Sequence, residues 1–295
     1  MPVFGDRMMR AILPLEIQEW LNGYAGKSST TIGKVTSIIQ AVYKSACAEG
    51  IVSRDPTLGL IKPKPSEPHV KRAFTEEEHE RIERTIDAHK HGLFMAVLYH
   101  LGLRRGEALG LQWGDFNFTE RKVTIERDID YVNDKAGAVG DLKSKAAYRK
   151  IPVPDELLSL LKKSRGLPNR YLFSATGVFP MPYSTFQRMW ISLMIDAGFA
   201  RPVESNGKAK KKDIRRDYET EITPHYFRHD YTTMLYEAGV DPLVAMKILG
   251  HKDYATTARI YTHLGDRHIE DASVKIIDIR SKKKVAEKLP ATKDD

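Results

Sequence analysis

Cysteine is nearly absent: Cys47 stands alone in the whole chain. One thiol excludes an intramolecular disulfide and any CxxC metal site, and it suits a reducing, cytoplasmic setting. Cys47 lies in an apolar helical stripe and reads as a buried structural thiol. No run of 18 apolar residues occurs, so nothing reads as a membrane-spanning helix. The opening "MPVFGDRMMRAILPLEIQEW" lacks the unbroken apolar core of a signal peptide. No GxxxxGK[ST] loop is present to cradle a nucleotide. No carboxylates are grouped to suit a metal; the alternating acids of "RDID", Asp128 and Asp130, fall on one polar face of a strand. The reading therefore includes no metal and no cofactor. Internal repeats are also missing.

What is present is a basic chain of 295 residues, long enough for two domains, with 41% hydrophobic residues to build a core. Lys and Arg total 47 against 39 Asp and Glu, a net charge of +8, and the sequence pI is about 9.3. Such an excess favours a polyanion as partner, nucleic acid first and a membrane surface second. A basic surface with no such partner is the plainer alternative.

Periodicity divides the chain. In residues 28–50, apolar residues at Ile32, Val35, Ile39, Val42 and Ala46 predict one helix face, with Ser28 or Ser29 as cap and Gly50 as stop. A shorter helix around "LPLEIQEWLNGY" precedes it. "KPKPSEPHVKR", with three prolines, reads as a linker. A helix restarts with Thr75 as cap and Glu78 completing a T-x-x-E box. "LFMAVLYHLGLRRGEALGLQWGDF" predicts a buried helix, a break at Gly102 and a second short helix. "RKVTIERDIDYV" predicts one strand, and "GDLKSKAAYRKIPV" a Gly-led turn and a return strand. "PYSTFQRMWISLMIDAGF" predicts a helix burying Phe186, Trp190, Leu193 and Ala197. The polar stretch 204–221 holds six basic residues between 208 and 216 and reads as a loop. Two helices follow: Thr223 and Pro224 open one and Gly239 ends it; Asp241 and Pro242 open the next and Gly250 ends it. "TTARIYTHL" predicts a short helix carrying Tyr261, and a further helix and a basic tail close the chain.

Several short motifs have two readings when taken singly. His225 and Arg228, three residues apart after a Pro-led helix start, share a helix face that suits an anion or merely decorates a surface. Arg104 and Arg105 sit among apolar residues, where an arginine must be paired or face a cleft. Glu107 is the partner in range, either in a structural ion pair or as the support of a guanidinium aimed at a phosphate. Lys143 and Lys145 lie near a hairpin turn and suit an exposed basic loop or a DNA groove.

All these motifs, in this order, resemble the tyrosine site-specific recombinases of the phage integrase family. "HLGLRRGEALGLQWGDF" is similar to the first arginine motif, with Arg104 in the catalytic place and Glu107 as supporting carboxylate. "LKSKAAYRKIPV" is similar to the hairpin that supplies a lysine, with Lys143 the better match, and "TPHYFRHDYTTMLYEAG" carries H-x-x-R as His225 and Arg228. "LGHKDYATTARIYTHL" is similar to the last box, with His251 as second histidine and Tyr261 as nucleophile. Tyr254 and His263 are bystanders.

The resemblance implies a mainly α fold with a small antiparallel β-sheet. It implies a helical core-binding domain over 1–65, a linker over 66–73, an α+β catalytic domain over 74–265, and a C-terminal helix and tail over 266–295. It implies a homotetramer working on double-stranded DNA through a four-way Holliday junction, with accessory excision or host DNA-bending factors. Tyr261 would form a 3′-phosphotyrosine, with His225 as base and Lys143 as general acid. Lys34, Lys44, Lys145, Arg149, Lys211 and Lys212 are the candidate phosphate contacts. The expected role is integration or excision of a mobile element, by a bacterial, phage or transposon protein associated with the nucleoid. An N-terminal arm-binding domain is expected to be missing from this sequence. A Xer-like chromosome resolvase, a type IB topoisomerase-like relaxase and a decayed, non-enzymatic DNA-binding member are the alternatives.

Overall fold

A computed structural model describes residues 3–67, 72–132, 135–141, 148–203 and 217–251, with backbone alone for 132 and 135–141. The chain divides between Val70 and Lys71 into two compact units.

The first unit is helical. Pro14 opens α1 (Pro14–Asn22), and the Glu16 carboxylate accepts the Leu13 N–H that would otherwise be orphaned at the helix start (2.9 Å). Ser28 caps α2 (Ser29–Ala48), its hydroxyl accepting from the Thr31 N–H at 3.1 Å. The core joins Ile12, Ile17, Tyr43, Ala46 and Val52, with Cys47 half-buried at its edge. The buried face of α2 is Ile32, Thr36, Tyr43 and Ala46, whereas Val42 is exposed. The helical period fits either choice, and the larger Tyr43 takes the inward place. Lys34 and Lys44 are exposed on the same helix.

The second unit is α+β. Thr75 and Glu78 form the predicted capping box of α3 (Glu76–Ala88): the Thr75 hydroxyl accepts from the Glu78 N–H and the Glu78 carboxylate from the Thr75 N–H. α4 (Gly92–Leu101) is buried over most of its length and ends where Gly102 turns left-handed, with φ of +58°. A Cβ there would strike the ring of Tyr231. After α5 (Arg105–Leu109) come β1 (Phe116–Asn117), β2 (Lys122–Ile125), β3 (Arg127–Val132), β4 (Lys135–Asp141) and β5 (Arg149–Pro152).

These strands make an antiparallel sheet of order β1-β2-β5 and a separate β3-β4 pair. The single strand expected over 121–132 is thus two, divided at Glu126. Arg127 anchors the switch: its Nε donates to the Gly110 carbonyl at 2.9 Å and its guanidinium pairs with Asp115. Gly140 and Asp141, expected in a turn, belong to β4.

α6 (Asp155–Lys163) follows, and α7 (Tyr183–Asp196) buries Phe186, Trp190 and Leu193, with Ala197 just beyond its end. β6 (Ala200–Pro202) pairs with β7 (Tyr218–Thr220), so the stretch read as loop ends in a strand. α8 (Pro224–Glu237) and α9 (Pro242–Leu249) pack through Tyr231, Leu235, Ala245 and Leu249. Among the described residues no helix is long and apolar enough to cross a membrane.

Candidate active site

Three elements of the second unit converge on one carboxylate. Glu107, third residue of α5, turns back to accept the Arg104 N–H at 2.9 Å, as the carboxylate of a capping box does. Its side chain is 1% exposed, and a lone buried carboxylate is costly. Three guanidinium groups answer it. Arg104 Nη1 donates to Oε1 at 2.7 Å. Arg149, from β5, donates through Nη1 to Oε1 at 3.0 Å and through Nη2 to Oε2 at 2.9 Å, a two-pronged fork. Arg228, from the first turns of α8, stands with Nη1 3.9 Å from Oε2.

The C-terminal carbonyls of α9, which have no partner within the helix, take up one further donor from each arginine. Arg149 Nε donates to Ile248 at 2.6 Å, Arg228 Nη2 to Leu249, and Arg104 Nη2 to Gly250 at 3.0 Å. Arg228 Nη1 also donates to the Gly102 carbonyl at 3.0 Å, behind the left-handed end of α4. Both glycine-ended helices therefore present carbonyls to the arginines, and the negative end of the α9 dipole faces the cluster.

Gly250 is left-handed at φ of +64°, and a Cβ on it would lie 2.7 Å from Arg149 Nη1. The arginines outnumber the carboxylate by two. Arg104, with 36% of its side chain exposed, opens the cluster to solvent, while Arg228 is closed in at 2%.

The field of the cluster acts on each of its titratable groups. Burial alone would raise Glu107, but the fork from Arg149 and the charges of Arg149, Arg228 and Arg104 outweigh it and hold the carboxyl at about 2. Burial, with Arg104 and Arg149 beside it, pushes Arg228 down to about 9, so it stays charged at neutral pH. His251, the residue after Gly250, is brought down to about 4 by burial and by the charges of Arg228, Arg104, His225 and Arg149. Its imidazole is neutral at pH 7 and can donate one hydrogen bond. His225 is the second residue of α8 and is exposed, one turn from Arg228.

Of the residues singled out in the sequence, Arg104, Glu107, His225, Arg228 and His251 thus come together from positions up to 147 residues apart. Lys143, Lys145, Lys211, Lys212, Tyr254, Tyr261 and His263 lie outside the described residues. Arg149 corrects the expectation placed on it. It is buried at 7% and committed to Glu107 and Ile248, so it is no surface phosphate contact. Its inward direction was available in the sequence: Arg149, Ile151 and Val153 alternate on one face of the strand, and all three are buried. Among the described residues no group of three or more His, Cys, Asp or Glu side chains is placed to hold a metal ion. What the arrangement can do is receive a dianionic or tightly charged oxyanion group at the Arg104 side, through N–H donors that the ion pairs leave over.

Comparison with known proteins agrees in extent and in fold. A Tyrosine recombinase XerC-like protein of Caldanaerobacter subterraneus subsp. tengcongensis is 27% identical over 268 residues, covering 86% of this chain and 68% of that protein. The transposase from transposon Tn916 of Enterococcus faecalis is 26% identical over 282 residues, covering 88% of this chain and 65% of that protein. Among solved structures, the Tn1549 transposon integrase in complex with a circular intermediate DNA has a similar fold, with a TM-score of 0.68 at 19% identity over 92% of this chain and 86% of that one. Residues 72–268 match the Phage integrase family, a span that contains the whole arginine cluster and Tyr261. The chain belongs to that family: it is a tyrosine recombinase, an enzyme that cuts and rejoins DNA.

Proposed function

We propose that this chain binds duplex DNA at a specific site and exchanges strands there to integrate or excise a mobile element. The observation that carries the reading is the cluster of three arginines on Glu107, with a net surplus of positive charge beside a neutral His251. A phosphodiester repels nucleophiles, and its equatorial oxygens gain charge during attack. Fixed cations aimed at them are the main catalytic resource. Arg104 and Arg228 supply this, with hydrogen bonds from His225 and His251.

Tyr261 attacks the phosphorus, its proton passing to His225. The bond to the 5′ oxygen breaks, and that oxygen takes a proton from Lys143. A 3′-phosphotyrosine and a free 5′-hydroxyl result. One phosphodiester is exchanged for another, so the step is reversible and needs no nucleotide hydrolysis. Each protomer cuts one strand, and exchange between two duplexes calls for four protomers on a Holliday junction, with accessory bending or excision factors. Lys34, Lys44, Lys145, Lys211 and Lys212 are the proposed backbone contacts.

A second reading is resolution of chromosome dimers. It is favoured by the relatives named XerC, which are as similar to this chain as the transposases are. The two part on substrate: a resolvase recombines two copies of one chromosomal site, an integrase joins element ends to a different target.

The chemistry is tested with duplexes that the chain itself selects from a random-sequence pool, each nicked at successive positions so that the 5′-hydroxyl fragment diffuses away. Wild-type protein is expected to become trapped on the 3′ side, and Tyr261→Phe to give no adduct. An adduct that survives in Tyr261→Phe moves the nucleophile to another tyrosine.

A further inference from the structure

Every prong of the Arg149 guanidinium is spent inside the protein. Burying a guanidinium costs several kcal/mol unless its donors are satisfied, and here Nε, Nη1 and Nη2 are satisfied on two different elements. Neutralising Glu107 does not require it, because Arg104 already pairs with that carboxylate at 2.7 Å. Adding charge against a phosphate does not explain it either, because its Nε, Nη1 and Nη2 are all committed to Ile248 and Glu107. What the fork does supply is direction. Two parallel bonds fix the plane of the Glu107 carboxylate, and with it the line along which Oε1 receives Arg104 Nη1. Nε draws on the Ile248 carbonyl, two residues before the Gly250 carbonyl that takes the other prong of Arg104. Gly250, without a Cβ, lets the guanidinium lie against that corner, and His251 follows directly. One side chain on a strand therefore sets both anchors of Arg104 and the start of the segment that leads to His251.

The geometry points to Arg149 as a positioning residue for strand cleavage: it acts through Glu107 and the Ile248–Gly250 corner to aim the Arg104 guanidinium. This rests on the recombinase reading. Lysine cannot replace it, since an ammonium has neither the fork nor the Nε donor on the opposite edge.

The test uses the full chain, the self-selected nicked duplexes and single-turnover adduct formation. The rate constant, the amplitude and the Kd for the duplex are read separately. Arg149→Lys, and independently Arg149→Met, are expected to lower the rate constant about 10- to 100-fold, the scale of a misaimed catalytic group. The amplitude and Kd of Arg149→Lys stay within about twofold of wild type. A duplex with a neutral methylphosphonate at the scissile position asks less of the guanidinium clamp, so on it the deficit of Arg149→Lys should shrink to within about threefold.

A rate constant equal to wild type overturns the inference. So does a loss confined to amplitude, which marks a purely structural staple, and so does an undiminished deficit on methylphosphonate. Wild-type protein that forms no adduct on any duplex instead overturns the recombinase reading beneath it.

Discussion

Glu107 illustrates how one residue is fixed by its surroundings. It is a buried anion that makes sense only among cations, and the cations are held only because it is there. Glu107→Gln keeps the shape but leaves three guanidinium groups, two of them buried, without a counter-ion. Breaking a buried ionic cluster from one side costs about 3–5 kcal/mol, and urea unfolding of the variant should show a loss of that order. A loss under about 1 kcal/mol, the size of an exposed pair, would mean that the carboxylate is not the hub. In the sequence, Glu107 was readable as the partner of Arg104, three residues away on one helix turn. That it also serves Arg149 and Arg228 was not readable, because those pairs span 42 and 121 residues.

At the scale of elements, the helices and their ends were the most legible part. Thr75 with Glu78, Ser28, Pro224, Asp241 and the glycines after α4 and α9 all act where local chemistry places them. Such signals depend on neighbours within four residues, which a sequence displays directly. The strands were less legible. A run of alternating residues from 121 to 132 does not say where one sheet stops, and the break at Glu126 is decided by Arg127 reaching Gly110 and Asp115.

The end of α9 allows a direct test. Gly250→Ala places a methyl in a left-handed position, at about 1–2 kcal/mol, and drives it into the guanidinium of Arg149. The variant should melt lower and lose adduct rate together. Wild-type rate with a lowered melting temperature would show that the Arg149 contact tolerates displacement.

The whole molecule should be acid-labile, and the sign follows from two groups. Glu107 is held at about 2, below the ordinary carboxylate range. Its contribution is complete above the ordinary value and is lost as pH falls toward the folded one. His251 is held at about 4, below the ordinary imidazole value, and burial lowers His89, His91 and His100 in the same direction. Below about pH 6.5 the unfolded chain takes these protons first. Thermal melts should therefore fall from about pH 6.5 downward and fall faster below about pH 4.5. In His251→Gln the upper part of the decline should be reduced. An unchanged upper part would place the histidine contribution elsewhere.

The amino-acid sequence by itself determined the helices, their caps and the set of chemically capable residues, because periodicity, capping and motif spacing are local. It also carried the family, through motifs in a fixed order. Tertiary structure alone decided that the inward-facing Arg149 meets Glu107, and that the carbonyls of Ile248, Leu249 and Gly250 serve as anchors. The physical reason is that a buried charge is tolerated only where several distant donors and acceptors meet at hydrogen-bond distance. Such a meeting exists only after the chain has folded.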